Sequence, residues 1–172
     1  MVVIFLFLFS FRSTIVAAIS IPVSVLITFI GMLAAGYTLN IITLGALTIA
    51  IGRVVDDSIV VIENIKRHIG LGEEKRTAIL SAVREVAGAV TASTITTVAV
   101  FLPLALVGDI TGELFRPFAL TVTIALAASL FVSLTIVPVL AYWFLGNKAH
   151  KHEGLAVESA ADELDTPTRL QK

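Results

Sequence analysis

Apolar residues fall into four long stretches separated by short polar ones, at about 14–35, 40–64, 86–107 and 118–145. A helix needs roughly twenty such residues to cross about 30 Å of hydrocarbon, so each stretch predicts a transmembrane helix. The opening run, 1–11, is apolar but only about half that length. It carries no positive leader and no convincing small-residue cleavage site, and reads as the end of a partial span rather than a secretory signal. The connections "GYTLN" and "GDITGELFRP" are short, so the helices they join are expected to be antiparallel neighbours. The pattern therefore predicts an all-α membrane protein, an antiparallel transmembrane helix bundle over 14–146 with about four full spans, preceded by the partial span 1–11.

Two segments depart from this pattern. Residues 73–85, "EEKRTAILSAVRE", place Ala78, Ile79, Ala82, Val83 and then Val86 at three- and four-residue spacing. This predicts an amphipathic connector at the membrane interface, covering the end of the bundle and leading into the next span. From 147 to 172 the chain is polar, mixed in charge and without apolar periodicity, which predicts a polar tail or linker. His150 and His152 in "HKH" lack a third ligand, so no metal site is expected there.

Composition agrees with a membrane location: 57% of residues are hydrophobic and 15% charged, against about 45–50% and 25% in typical soluble domains. The net charge of −1 carries no information about an acidic partner, and the absence of cysteine removes disulfides, thiolate metal sites and cysteine nucleophiles together. No Gly-rich phosphate loop, nucleophile elbow or basic-aromatic face for nucleic acid is present, so enzymatic chemistry has no candidate residues. The distribution of basic residues is more telling. Arg12, Lys66, Arg67, Lys75, Arg76, Arg84, Lys148, Lys151, Arg169 and Lys172 fall on one side of the four spans, while the opposite connections hold only Arg116. Basic loops are retained in the cytoplasm, so that side is expected to be cytoplasmic, with a multi-pass chain in the cell membrane.

The costliest feature is "IGRVVDDSIVVIEN", residues 51–64. Asp56 and Asp57 would lie roughly 6–8 Å from the middle of the second span, within the hydrocarbon layer. Each Asp or Arg costs about 2.5–3.5 kcal/mol at a helix centre, whereas each Leu, Ile or Val returns only about 0.3–0.6. Such residues belong against a protein interior or a water-filled cavity, with partners. Arg53 stands three residues before Asp56 and four before Asp57, spacings that make it a possible ion-pair partner of either. Gly45, Gly52, Asp56 and Glu63 fall on nearly one line, with Thr48 at its flank and Ile49 interrupting it. Gly45, Thr48 and Gly52 thus form a candidate helix-packing face that lets a neighbour approach the carboxylates. Two adjacent carboxylates in a low-dielectric site cannot both ionise cheaply, and they are expected to titrate in coupled steps. A group that binds and releases protons inside a membrane is what a proton-driven machine requires. A static ion pair that fixes packing is the simpler reading.

"IITLGALTIAIGRVVDDSIVVIENI" resembles the fourth transmembrane helix of the resistance-nodulation-cell division superfamily, in its hydrophobe/amphiphile multidrug efflux branch. "FLFLFSFRSTIVAAISIPVSVLITFIGMLAAGYTLN" is similar to the end of that family's second helix and its third, and "VFLPLALVGDITGELFRPFALTVTIALAASLFVSLTIVPVLA" to the end of its fifth and its sixth. The resemblance covers about residues 1–146, the first transmembrane repeat from helix two to helix six. It implies a proton-antiport multidrug efflux pump driven by the proton gradient with no other cofactor. It also implies a homotrimer, with Asp56 and Asp57 as proton-relay residues. Membrane lipids and a second repeat or pump subunits are the expected partners. Two departures matter: Arg53 occupies a position that is apolar in many relatives, and the second repeat, with its lysine partner to the aspartates, and the outer substrate domains lie outside this sequence. A fragment or truncated chain of such a pump is therefore expected. A protein-export component of the same superfamily is the nearest alternative, although its motif carries a single aspartate followed by a small residue. A non-transporting membrane scaffold or assembly partner is the alternative from another class.

Overall fold

The computed structural model describes residues 10–145, which form a bundle of helices with no strand among them. The expected partial span 1–11 and tail 147–172 lie essentially outside the described residues. Helix α1 is Phe11–Ala34, α2 Ile41–Gly70, α3 Lys75–Ala105, α4 Asp109–Phe131 and α5 Val137–Phe144. A widened π turn, Val132–Ile136, joins α4 to α5, so that 109–144 forms one rod. The widening falls just where the ring of Pro138 would meet the carbonyl of Leu134 in a regular helix.

Local chemistry sets the ends of these helices. After α1, Gly36 adopts φ +77°, Gly36 N–H donates to Leu33 O at 3.1 Å and Tyr37 N–H to Met32 O at 2.9 Å. This closes the helix in the manner that favours glycine past its end. Four residues later the Asn40 side chain accepts from the Ile42 and Thr43 amides, both at 2.9 Å, while Thr43 Oγ1 accepts from Asn40 N–H at 2.8 Å. The reciprocal pair satisfies donors that the first turn of α2 leaves open. Arg116 Nε donates to Ala105 O at 3.1 Å, placing the one basic residue of the short connections over the carboxyl end of α3.

Helix α2 packs against α1, α3 and α4, and α1 and α3 flank the α2–α4 pair. Gly31 lets α1 approach α4 closely: a Cβ there would lie 2.6 Å from Ile124 Cγ2. Two apolar clusters fill the interior. One holds Val16, Ala17, Ile62, Ile65, Ile79 and Val137 toward the α2–α3 turn; the other gathers Ala46, Val122 and Leu126 toward the opposite end. Ser20, Ser24, Asp57, Ser58 and Ser129 are buried in between. Large side chains such as Leu26, Ile30, Ile95, Val100, Phe131 and Trp143 point outward, the reverse of a soluble bundle and the arrangement that lipid solvates.

Three of the expected four spans, 11–34, 75–105 and 109–144, are long and apolar enough to cross a membrane. Helix α2 has the length, but each 18-residue window of it contains more than two charged residues, counting Arg53, Asp56 and Asp57 in the first. Residues 73–85 run without a break into the helix that follows. From Lys75 they are the first turns of α3 itself, because no proline interrupts the helical pattern before Pro103. The third expected span thus begins about three turns earlier than its apolar run, and the fourth begins at Asp109 rather than 118.

Candidate functional site: a buried aspartate in a polar layer

Asp56 and Asp57 are adjacent, and one residue of helix turns the side chain by about 100°. The bundle converts this into opposite surroundings. Asp57 is 4% exposed, whereas Asp56 is exposed on the outer surface of α2. They are not a facing pair.

Both Asp57 oxygens have partners. Ser129 Oγ, from α4, donates to Oδ2 at 2.8 Å, and Arg53 Nη2 reaches Oδ1 at 3.4 Å. Arg53 in turn donates to Ser93 Oγ on α3 at 2.8 Å. A single carboxylate therefore connects α2 directly to α4 and, through Arg53, to α3. Of the two aspartates that its spacing reaches, Arg53 pairs with Asp57; among the described residues it forms no ion pair with Asp56. The next residue extends the polar layer to α1. Ser20 donates to Ala17 O at 2.7 Å, leaving the Ser58 hydroxyl to donate to Ser20 Oγ at 2.9 Å.

Gly45, Thr48, Gly52, Asp56 and Glu63 are all exposed and lie along one side of α2. No helix among the described residues packs on the glycines: a Cβ at Gly45 or Gly52 would meet nothing within 4 Å. Beyond Asp56 lies a cleft of about 650 Å³ whose lining includes Ile59, Val60, Glu63, Asn64 and Val86. No group of three or more potential metal ligands occurs among the described residues.

Ser129 and Ser93 were not singled out by sequence reading. Serine is common in membrane helices, and each lies 72 or 40 residues from the group it contacts. One signal was available for Ser129: Thr121, Ala125 and Ser129 repeat at four-residue spacing and are all buried, a small-residue stripe of the kind along which membrane helices approach.

Residues 1–165 match the model of the AcrB/AcrD/AcrF family. The chain belongs to that family. It is similar to the swarming motility protein SwrC of Bacillus subtilis, with 54% identity over 144 residues, covering 82% of this chain and 14% of SwrC. It is also similar to the multidrug resistance protein MdtC of Cronobacter sakazakii, 49% identical over 146 residues, and of Escherichia coli, 50% over 143. These cover 85% and 83% of the chain and 14% of each MdtC. The chain thus spans about one seventh of the length of these relatives.

Proposed function

We propose that this segment is the proton-handling membrane portion of a multidrug efflux transporter, with Asp57 and Asp56 as its proton-relay residues and a proton gradient as its energy source. The observation that carries this reading is the enclosure of Asp57 between Ser129 and Arg53. Protonation would remove the charge that holds Arg53 and change which oxygens accept hydrogen bonds, so binding one proton alters contacts with two neighbouring helices at once. The family match and the names of the MdtC relatives support transport rather than catalysis. Asp56 and the bare glycine face are the side offered to a partner, and the cleft below them leaves room for one. A second transmembrane repeat is the proposed occupant, within a homotrimeric pump in the cell membrane, with lipid around it.

The test uses an intact pump containing this segment. Asp57→Asn or Asp56→Asn abolishes proton-coupled export while leaving insertion and assembly unchanged, because an amide keeps the shape but cannot exchange the proton in the same way. Undiminished export by both variants would overturn the relay. This segment alone, lacking a repeat to move against, is expected to insert without pumping. Drug efflux from proteoliposomes holding it alone, and abolished by collapsing the proton gradient, would overturn that expectation. Orientation has its own check: reporter fusions at Gly72 and Gly154 should both read cytoplasmic.

The Arg53–Asp57 ion pair favours a second reading, a non-transporting scaffold in which the charges only fix helix packing. Proton uptake by the purified protein separates the two. The scaffold takes up none at Asp57 over the pH range in which the bundle stays folded.

A further inference from the structure

A second cluster of ionisable groups lies where α2 turns into α3, on the polar first turns of α3 ahead of the apolar run that begins at 86. Arg67 Nη2 contacts both oxygens of Glu85, at 2.7 and 2.6 Å, and Arg67 Nε donates to Asn64 Oδ1 at 2.9 Å. Asn64 Nδ2 donates to Ala82 O at 2.9 Å and Glu85 Oε2 at 3.1 Å. His68 completes the set. Its Nδ1 lies 2.8 Å from Glu73 Oε1 and its Nε2 lies 2.8 Å from Glu85 Oε2, with the side chain only 12% exposed.

Ionised carboxylates accept hydrogen bonds and cannot donate them, and a neutral imidazole has one N–H. Both contacts of His68 are hydrogen bonds together only when both ring nitrogens carry hydrogen. We infer that His68 is a proton-binding site at the cytoplasmic end of the bundle, whose bound proton fastens the α2–α3 turn by bridging Glu73 to Glu85. When that proton leaves, one of the two bridges must open. Because Glu73 lies just beyond Gly72, which takes φ +86° to turn the chain, the loss falls on the short link that sets how α2 enters α3.

The groups facing His68 are Glu73 on the turn, Glu85 on α3 and Arg67 on its own helix. Residues 137–145, packed against the same ends of α2 and α3, add only Tyr142 as an ionisable group; α1 adds only Arg12, which is not among the groups acting on His68. Hydrogen bonds to Glu85 and then Glu73 hold the His68 pKa above its ordinary 6.5, while His68 and Asn64 hold Glu85 below its ordinary 4.5. The His68 contribution is complete below 6.5 and fades as pH rises through its elevated folded value. The Glu85 contribution is complete above 4.5 and fades as pH falls through its depressed one. The fastening is therefore firmest between about pH 4.5 and 6.5, where both contributions are complete. It stands apart from the relay, since His68 lies about three turns along α2 from Asp57.

The decisive measurement is a pH titration of the imidazole nitrogens by NMR, on the full chain labelled with ¹⁵N-histidine in lipid nanodiscs, with His68→Gln identifying the signal among the three histidines. The expected result is a midpoint above 6.5, with both nitrogens protonated below it, and a downward shift of that midpoint in Glu85→Gln and in Glu73→Gln. A wild-type midpoint at or below 6.5 would overturn the inference, as would a midpoint that neither variant moves. Should a variant fail to fold, the wild-type midpoint decides alone.

Discussion

The two faces of α2 were assembled from the same kinds of residue and have opposite characters. Inward, Asp57 and Ser58 are closed in by α1, α3 and α4, and every polar atom they present has a partner. Outward, Asp56 shares an open stripe with Gly45, Gly52 and Glu63. A carboxylate in the first setting is costly to leave unpaired and so reports its protonation to its neighbours; one in the second is solvated or paired by whatever covers the face. Adjacency in sequence therefore does not make the aspartates equivalent. The inward one belongs to this bundle, and the outward one lies on its open face.

The comparison is most directly broken at the aspartates. Asp57→Ala removes the anion facing Arg53, which is 29% exposed at its side chain, and leaves the Ser129 hydroxyl unpaired. It should destabilise the bundle on the order of 2–3 kcal/mol, while Asp56→Ala should stay within about 0.5. Unfolding midpoints in mild detergent measure both, and equal losses would erase the distinction between the faces. Ser129→Ala tests one contact alone. Stranding a buried carboxylate oxygen predicts a loss of about 1–3 kcal/mol, and in an intact pump it should shift the pH dependence of export rather than only its amount. The smallest effect sharpens the outward face. In this chain alone Gly52→Ala gains up to about 1 kcal/mol, because alanine is the better helix former and its Cβ meets nothing. In an assembled transporter the same change should lower export, because a partner helix then lies close. A gain in both settings would show that the face stays open.

How far the sequence discloses this arrangement depends on how local each interaction is. The helices, the Asn40 start of α2 and the stripe from Gly45 to Glu63 follow from periodicity and from chemistry within a few residues. Arg53 could be drawn to within reach of both aspartates but not assigned to one, because that choice depends on which face of α2 the bundle encloses. Ser129 and Ser93 depend on helix rotations fixed by packing of the whole bundle, and a serine in an apolar run advertises neither. The unbroken run of the connector into α3 is less legible for the opposite reason: its polarity is plain, but polarity does not end a helix, and no proline between Lys75 and Pro103 does.

The π turn at Val132–Ile136 also acts as a winding correction. Ser129, Ser133, Val137 and Ala141 are spaced by four and all lie inward, none more than 1% exposed. A regular α-helix would drift about 40° outward with every such step. One surplus residue in the turn cancels most of the drift, so the strand of atoms that bonds Asp57 at one level seals the apolar cluster at another. Remove one residue from 132–136 and the two levels fall about 100° out of phase. Either Ser129 or Val137 would then face away from its place.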